Sequence, residues 1–326
     1  MSLPKSSFFG LKGKLVLLIC IGLLLPSGQA LVKSTAVHAN DPEQSNFIYI
    51  PMVTDVPYLA SRMGYGLTYA SGGPNTISAF GNAVNLKAGW YLNWGVNANP
   101  VRPDNIDYLQ MIRVHQSLSC TNDSGNTYWQ YAFREECPYI EPTNESTSYS
   151  YRPSQATIEA AARANPGSVW AVGNEIERKD WAVCQMWESP ESSVCLEWLH
   201  TGQDEILPET YAIAYHDLYN IIKNADPTAR IAIGGVIQVT PVRLEYLTLV
   251  WEAYQTKYGE EMPVDIWNIH TFVLKEQLGV GADLPVGTEG EGTFVRNRDH
   301  MDIGLIGDQV IAMRQWMKER GQQEKP

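Results

Sequence analysis

The residues best suited to chemistry are Asn174 and Glu175, which close the run Ser168-Val-Trp-Ala-Val-Gly-Asn-Glu175. Val169, Trp170, Ala171 and Val172 have the composition of a buried strand. The turn signal Asn165-Pro166-Gly167 precedes them, and the charged Glu177-Arg178-Lys179-Asp180 follows. A carboxyl beside a side-chain amide at the tip of such a strand is a general acid–base group with a hydrogen-bonding neighbour. In parallel barrels the chemistry sits at the carboxyl ends of the strands, where this pair stands. The plainer reading is a helix start whose acids complement the macrodipole.

The elements that must hold this pair alternate. Residues 64–69, 88–94, 107–115, the opening run, 230–236 and 264–272 read as strands one to six, with no helix between strands two and three. Helices are predicted over 77–86 (weak), 153–164 with Ser154 as N-cap, about 208–224, 243–258 and 302–320. Tyr211, Ala214, Leu218, Ile221 and Ile222 form the apolar stripe of the third of these, and Asp226-Pro227 ends it. Ile303, Ile306, Val310, Ile311 and Trp316 keep near-helical spacing in the last, with Gly321 as C-cap. Strands flanked by helices are the grammar of a parallel sheet.

Two loops carry the cysteines. The first holds Cys120 and Cys137 among Tyr128, Trp129 and Tyr131, and reads as a lid over the strand tips; the second holds Cys184 and Cys195. Four cysteines in an exported chain suggest local pairs, Cys120 with Cys137 and Cys184 with Cys195, although three pairings are open. A zinc site is the competing reading, but no C-x-x-C and no histidine at ligand spacing accompanies them, so no metal and no cofactor is expected.

Export is read from residues 1–39. Lys5, Lys12 and Lys14 precede an apolar run from Leu15 to Leu25, and small residues at Pro26–Ala30 and Val37–Ala39 offer cleavage sites, as in a secretory signal peptide. The run of eleven is short for a membrane span; an uncleaved anchor is the alternative. Residues 40–61 read as a spacer with a short strand at 47–53, and 62–326 as the main domain. The expected location is secreted or cell-surface. The 326 residues, 44% hydrophobic and 18% charged, suffice for a large core in one or two domains. Removing residues 1–39 takes away four lysines and no acids, which moves the formal charge from -12 to -16. Such acidity excludes nucleic acid and anionic membranes as natural partners.

An alternation whose fourth strand ends in Asn174-Glu175 resembles the clan of retaining glycoside hydrolases built on the (β/α)8 TIM-type barrel, over residues 64 to 326. The strand Trp90-Tyr-Leu-Asn-Trp94 is similar to the W-x-x-N-W strand of secreted glycan-cleaving members, and His270 closes strand six. The resemblance implies an α/β barrel with strands one to six present, a poly- or oligosaccharide substrate, and Glu175 as acid/base with a raised pKa. It implies Asn174 as the ligand of a sugar 2-hydroxyl, a helix cap being the alternative. His270 is either a positioning group or a core histidine. Arg113 and His115 flank the end of strand three, in orientations expected to let only one of them face the axis. Asn93, Trp94 and Trp181 join the substrate-binding candidates, with Trp90 and Trp129 as further platforms for sugar rings.

The clan also implies a nucleophilic Glu at the end of strand seven. Glu261, Glu276, Glu289 and Glu291 do not end strand-like runs, and Lys325-Pro326 stands where that strand would begin, so the barrel is expected to be incomplete at its C-terminus and inactive as a hydrolase. The alternative is a noncatalytic glycan-binding or scaffold protein.

Overall fold

The computed structural model describes residues 64–66, 89–103, 106–119, 138–142, 148–179, 181–183, 198–200, 203–277, 280–293, 295–296, 299 and 301–326. The chain comprises two compact units, Met1–Asp55 and Val56–Pro326, and every described residue belongs to the second. The expected leader, the strand at 47–53, the helix at 77–86, Trp129 and the four cysteines Cys120, Cys137, Cys184 and Cys195 lie outside the described residues.

The second unit is mixed α/β. Strands β1 (Gly64–Gly66), β2 (Trp90–Leu92) and β3 (Asp107–Tyr108) form a parallel sheet in that order. A four-stranded sheet orders β5 (Tyr149–Arg152), β4 (Gln110–Gln116), β6 (Val169–Asn174) and β9 (Arg230–Gly235), with β4, β6 and β9 parallel. The expected strand at 107–115 is thus two strands. At Leu109 the chain leaves β2, its N–H donating to the Tyr91 carbonyl, and Met111 N–H reaches Gly95. Above that point β5 covers the edge of β4 in antiparallel register, Arg113 opposite Arg152. The segment Tyr-Ser-Tyr-Arg is short and polar, and no strand is expected there from the sequence.

The sixth strand differs from expectation for a geometric reason. Residues 264–272 lie parallel to the end of β9 but touch it through two isolated bridges, Ala232 with Ile266 and Val236 with Ile269. Four steps on one side face three on the other, as in a bulge, so no continuous ladder forms. The extra residue falls at Gly234-Gly235, where a Cβ on Gly234 would stand 2.3 Å from Ile176 Cγ2. On the opposite edge Trp267 N–H donates to the Pro326 carbonyl. The parallel strands follow one another in the expected order. No closed barrel forms among the described residues.

Helices α1 (Gln155–Ala164), α2 (Pro208–Ala225), α3 (Pro241–Tyr258) and α4 (Ile303–Glu319) match the predicted positions. Prolines at the first turns of α2 and α3 suit positions whose N–H has no intrahelical acceptor. Ser154 is the N-cap residue of α1, but its hydroxyl pairs with the Thr157 hydroxyl instead of capping a backbone N–H. Asp302 does cap α4, accepting from Gly304 N–H at 2.8 Å. The buried face of α4 is Gln309, Met313, Trp316 and Met317, while Ile303, Val310 and Ile311 of the predicted stripe are exposed. Spacing alone could not show which apolar face meets the core. The core joins Trp170 and Val172 of β6 to Ile231 and Ile233 of β9, under Tyr211, Tyr215 and Leu218 of α2 and Tyr246, Val250 and Tyr254 of α3.

Short antiparallel pairs occupy the predicted loops: β7 (Trp181–Val183) with β8 (Trp198–His200), and β10 (Glu276–Gln277) with β11 (Val280–Gly281). Among the described residues no helix is long and apolar enough to cross a membrane.

Candidate functional site

Glu175 leaves β6 in the left-handed region, at φ 49°, and its N–H donates to the Gly235 carbonyl of β9 at 2.8 Å. Gly173 precedes it at φ 101°, a value that only glycine adopts freely, and a Cβ there would meet Ile176 Cγ2 at 2.4 Å. This kink splays β6 from β4 after their last paired residues, Val172 and Ile112. Residues 203–206 fill the wedge, with Asp204 N–H on the Asn174 carbonyl and Ile206 N–H on the Ile176 carbonyl.

The Glu175 carboxylate is 5% exposed as a residue and both of its oxygens are engaged. Oε1 lies 3.0 Å from His270 Nδ1, and Oε2 accepts from Arg178 at 3.0 Å. Burial pushes its pKa up, but the His270 hydrogen bond and the Arg178 charge outweigh that and hold it below the usual carboxylate value. The expected rise is therefore corrected: in this chain Glu175 is a charged, ion-paired group.

Asn174 donates from Nδ2 to Gln203 Oε1 at 2.7 Å, and its own N–H donates to Asp204 Oδ2 at 2.9 Å. Among the described residues it is followed by turns and bends over 175–178, with no helix start. Arg113 and His115 are both turned to Asp204 Oδ1, Arg113 through Nε at 2.7 Å and His115 Nε2 at 3.7 Å. The expectation that only one of them shares the inward face is wrong, since residues two apart on a strand lie on one side. Asp204 also accepts from Val114 N–H, and burial lifts its carboxyl to about 6 against the pull of Arg113. Arg113 thus braces the segment beneath Asn174.

A cavity of about 680 Å³ runs along the inside of the sheets, from Asp107, Ser168 and Arg230 at the amino ends of the strands to Asn174 and His270 at the carboxyl ends. Trp90, Trp94 and Trp267 are among its walls; Glu175 is not, and meets the cavity through His270. Trp94, at φ 57°, lays its ring against Gly66, where a Cβ would come within 2.6 Å. Asn93 accepts from the Tyr108 hydroxyl, which also donates to the Gly95 carbonyl, so it braces this strand tip. Trp181 opens β7.

Sequence reading missed the group behind Glu175. Arg243, fully buried at the start of α3, donates to Glu177 at 2.7 Å, to Glu276 at 2.9 Å, and to the carbonyls of Ala282 and Asp283. Glu177 Oε1 also accepts from Ile237 N–H, and Val286 N–H donates to its carbonyl, so one cation ties the turn after β6 to residues 276–286. Among the described residues no group of three His, Cys, Asp or Glu is arranged to hold a metal ion.

No family model matches the chain, and no curated protein matches it. Among solved structures it is similar to the crystal structure of a GH128 (subgroup II) endo-beta-1,3-glucanase from Sorangium cellulosum, at 15% identity over 63% of this chain and a TM-score of 0.32. The chain spans 59% of that protein's length, and at this level the likeness carries no argument about its fold or chemistry.

Proposed function

We propose that the second unit is a glycan-acting domain of (β/α)8-barrel type, exported from the cell, in which Glu175 serves proton transfer at a glycosidic oxygen. The carrying observation is the meeting of Glu175, from the tip of β6, with His270, from the tip of the neighbouring parallel segment, at the head of a cavity walled by tryptophans. Trp90 and Trp94 offer apolar planes suited to the C–H faces of sugar rings, and Asn174 lies within hydrogen-bonding reach of a hydroxyl bound at the cavity head. A (β/α)8 fold accounts for the parallel strand order, which is the support for that part of the reading.

Retaining hydrolysis needs a second carboxyl about 5 to 5.5 Å from the first. Among the described residues the one carboxylate in the cavity wall is Asp107. From the register of Gln110 with Trp170 it lies eight residues below Glu175, roughly 26 Å along the strands at about 3.3 Å per residue. It cannot be the nucleophile, so the retaining reading draws that group from outside these walls.

A second reading is glycan binding without hydrolysis. It is favoured by the state of Glu175, which is charged and paired where a general acid must carry a proton. Hydrolysis of soluble β-glucans and aryl β-glycosides, measured beside retention in β-glucan gels for the chain and for Glu175→Gln, separates the two. Turnover lost in the variant with retention kept supports the enzyme; retention in both with turnover in neither supports the binder. A chain that neither cleaves nor is retained sinks both.

A further inference from the structure

We propose that His270, through Nε2, is the group that takes a proton from a water or hydroxyl held in the cavity, and that Glu175 orients it. This rests on the glycan reading only for the source of that hydroxyl.

Three observations converge. His270 is in the cavity wall and Glu175 is not, so a ligand in this cavity meets the imidazole first. Oε2 of Glu175 is taken by Arg178, whose guanidinium only donates, and Oε1 faces Nδ1 of His270. With Glu175 ionised, that contact is Nδ1–H donating to the carboxylate, which fixes the neutral tautomer and leaves Nε2 as the acceptor. The Cδ2–Nε2 edge of the ring lies over Gly235, where a Cβ would come within 3.1 Å of both atoms; a larger residue there would push the ring away. The side chain is 27% exposed, so the ring is not sealed from the cavity.

The step is a simple proton transfer. The O–H bond of the bound water or sugar hydroxyl breaks, its proton passes to Nε2, and its electron pair stays on oxygen, which becomes a nucleophile. The imidazolium that forms is balanced by the Glu175 carboxylate, whose other oxygen remains on Arg178. Carboxylate, imidazole and nucleophile then follow the same logic as other base–orienter pairs.

The test reads the tautomer directly. In ¹⁵N-labelled chain, with the His270 ring signals assigned by their loss in His270→Asn, the neutral ring is expected to carry its proton on Nδ1. In Glu175→Ala the population is expected to move toward the Nε2–H form. A wild-type ring protonated on Nε2, or a ratio unmoved by Glu175→Ala in a variant with native circular dichroism, overturns the proposal. In a preparation with hydrolytic activity, His270→Ala is expected to lower kcat at least about 100-fold, with partial rescue by added imidazole. A kcat within threefold of the parent overturns it. If Glu175→Gln abolishes turnover while the ring is found in the Nε2–H form, the glycan reading stands and the base assignment to His270 fails.

Discussion

Replacing Arg243 by Met is the sharpest test of what holds the Glu175 turn in place. Arg243, Glu177 and the Glu276 side chain are all fully buried, with contacts of 2.7 and 2.9 Å, so the pair energies are not diluted by water. Breaking a buried pair by removing one partner costs about 3 to 5 kcal/mol, because the charge left behind has no counter-ion. The carbonyls of Ala282 and Asp283 lose their donors as well, about 1 kcal/mol each where no water replaces them. Met restores part of the packing, and protonation of the abandoned acids caps the loss, which gives an expected cost of about 5 kcal/mol. With a urea slope of about 2.5 kcal/mol/M, the midpoint falls by about 2 M, read by tryptophan fluorescence. The sign with pH separates charge from packing. Burial already raises the Glu177 carboxyl against the pull of Arg243, and without Arg243 that rise is unopposed. The Glu177 contribution is then present below the unfolded value and is lost as pH rises through the folded one. The deficit of Arg243→Met is therefore larger at pH 8 than at pH 5. A midpoint shift under about 0.4 M, or the same deficit at both pH values, would refute the charge argument and leave only a packing defect.

Gly235→Ala puts a Cβ against His270 Cδ2 and Nε2 and Asn268 Nδ2, and is expected to cost about 1 to 3 kcal/mol while breaking the His270–Glu175 contact, seen as a change in the His270 ring ¹⁵N shifts. Asp204, raised to about 6 by burial, contributes stability that is complete below its unfolded pKa near 3.9 and is lost as pH rises through about 6. The advantage of the parent over Asp204→Asn therefore shrinks by about 3 kcal/mol between pH 3.5 and pH 7.5 in thermal unfolding. Glu175 has the opposite sign: its lowered pKa stabilises above the unfolded value and is lost as pH falls. Arg178→Met is expected to raise its titration midpoint, followed by ¹³C carboxyl shifts, and to destabilise more at pH 7 than at pH 3.5.

The parts of the fold legible in the sequence are those set by local composition. Val169 to Val172 between a Pro-Gly turn and a charged tract, and the striped helix over Pro208–Ala225, need no distant partner to be recognised. Strand counting places Asn174, Glu175 and His270 at carboxyl ends, and the structure brings the last two into contact. What stayed hidden depends on partners far along the chain. Arg113 meets Asp204 across 91 residues and Arg243 meets Glu177 across 66, and no spacing rule joins such pairs. The break at Leu109 and the short β5 are likewise decisions about which neighbour covers an edge, and a strand's own residues do not record that. Trp94 and Glu175 share the left-handed backbone region, a choice that neither residue type favours and that only the surrounding structure imposes.

The charge on Glu175 ties these features to function. A general acid at neutral pH must hold its proton, and Arg178 and His270 work against that. A second carboxylate at about 5 Å would oppose them with roughly 3 kcal/mol at an effective dielectric of about 20, or about two pKa units. That is the order needed to move a depressed carboxyl toward the working range of a glycosidase acid. Among the described residues the cavity walls carry no such anion near Glu175, since Asp107 is at the far end of the strands. With these residues alone, the favoured state is therefore an ionised Glu175 that fixes His270 rather than one that donates a proton. Acid catalysis by Glu175 needs either an approaching anion or the loss of the Arg178 contact. On the proposed reading, the Glu175 charge state therefore decides between orienting His270 and donating a proton.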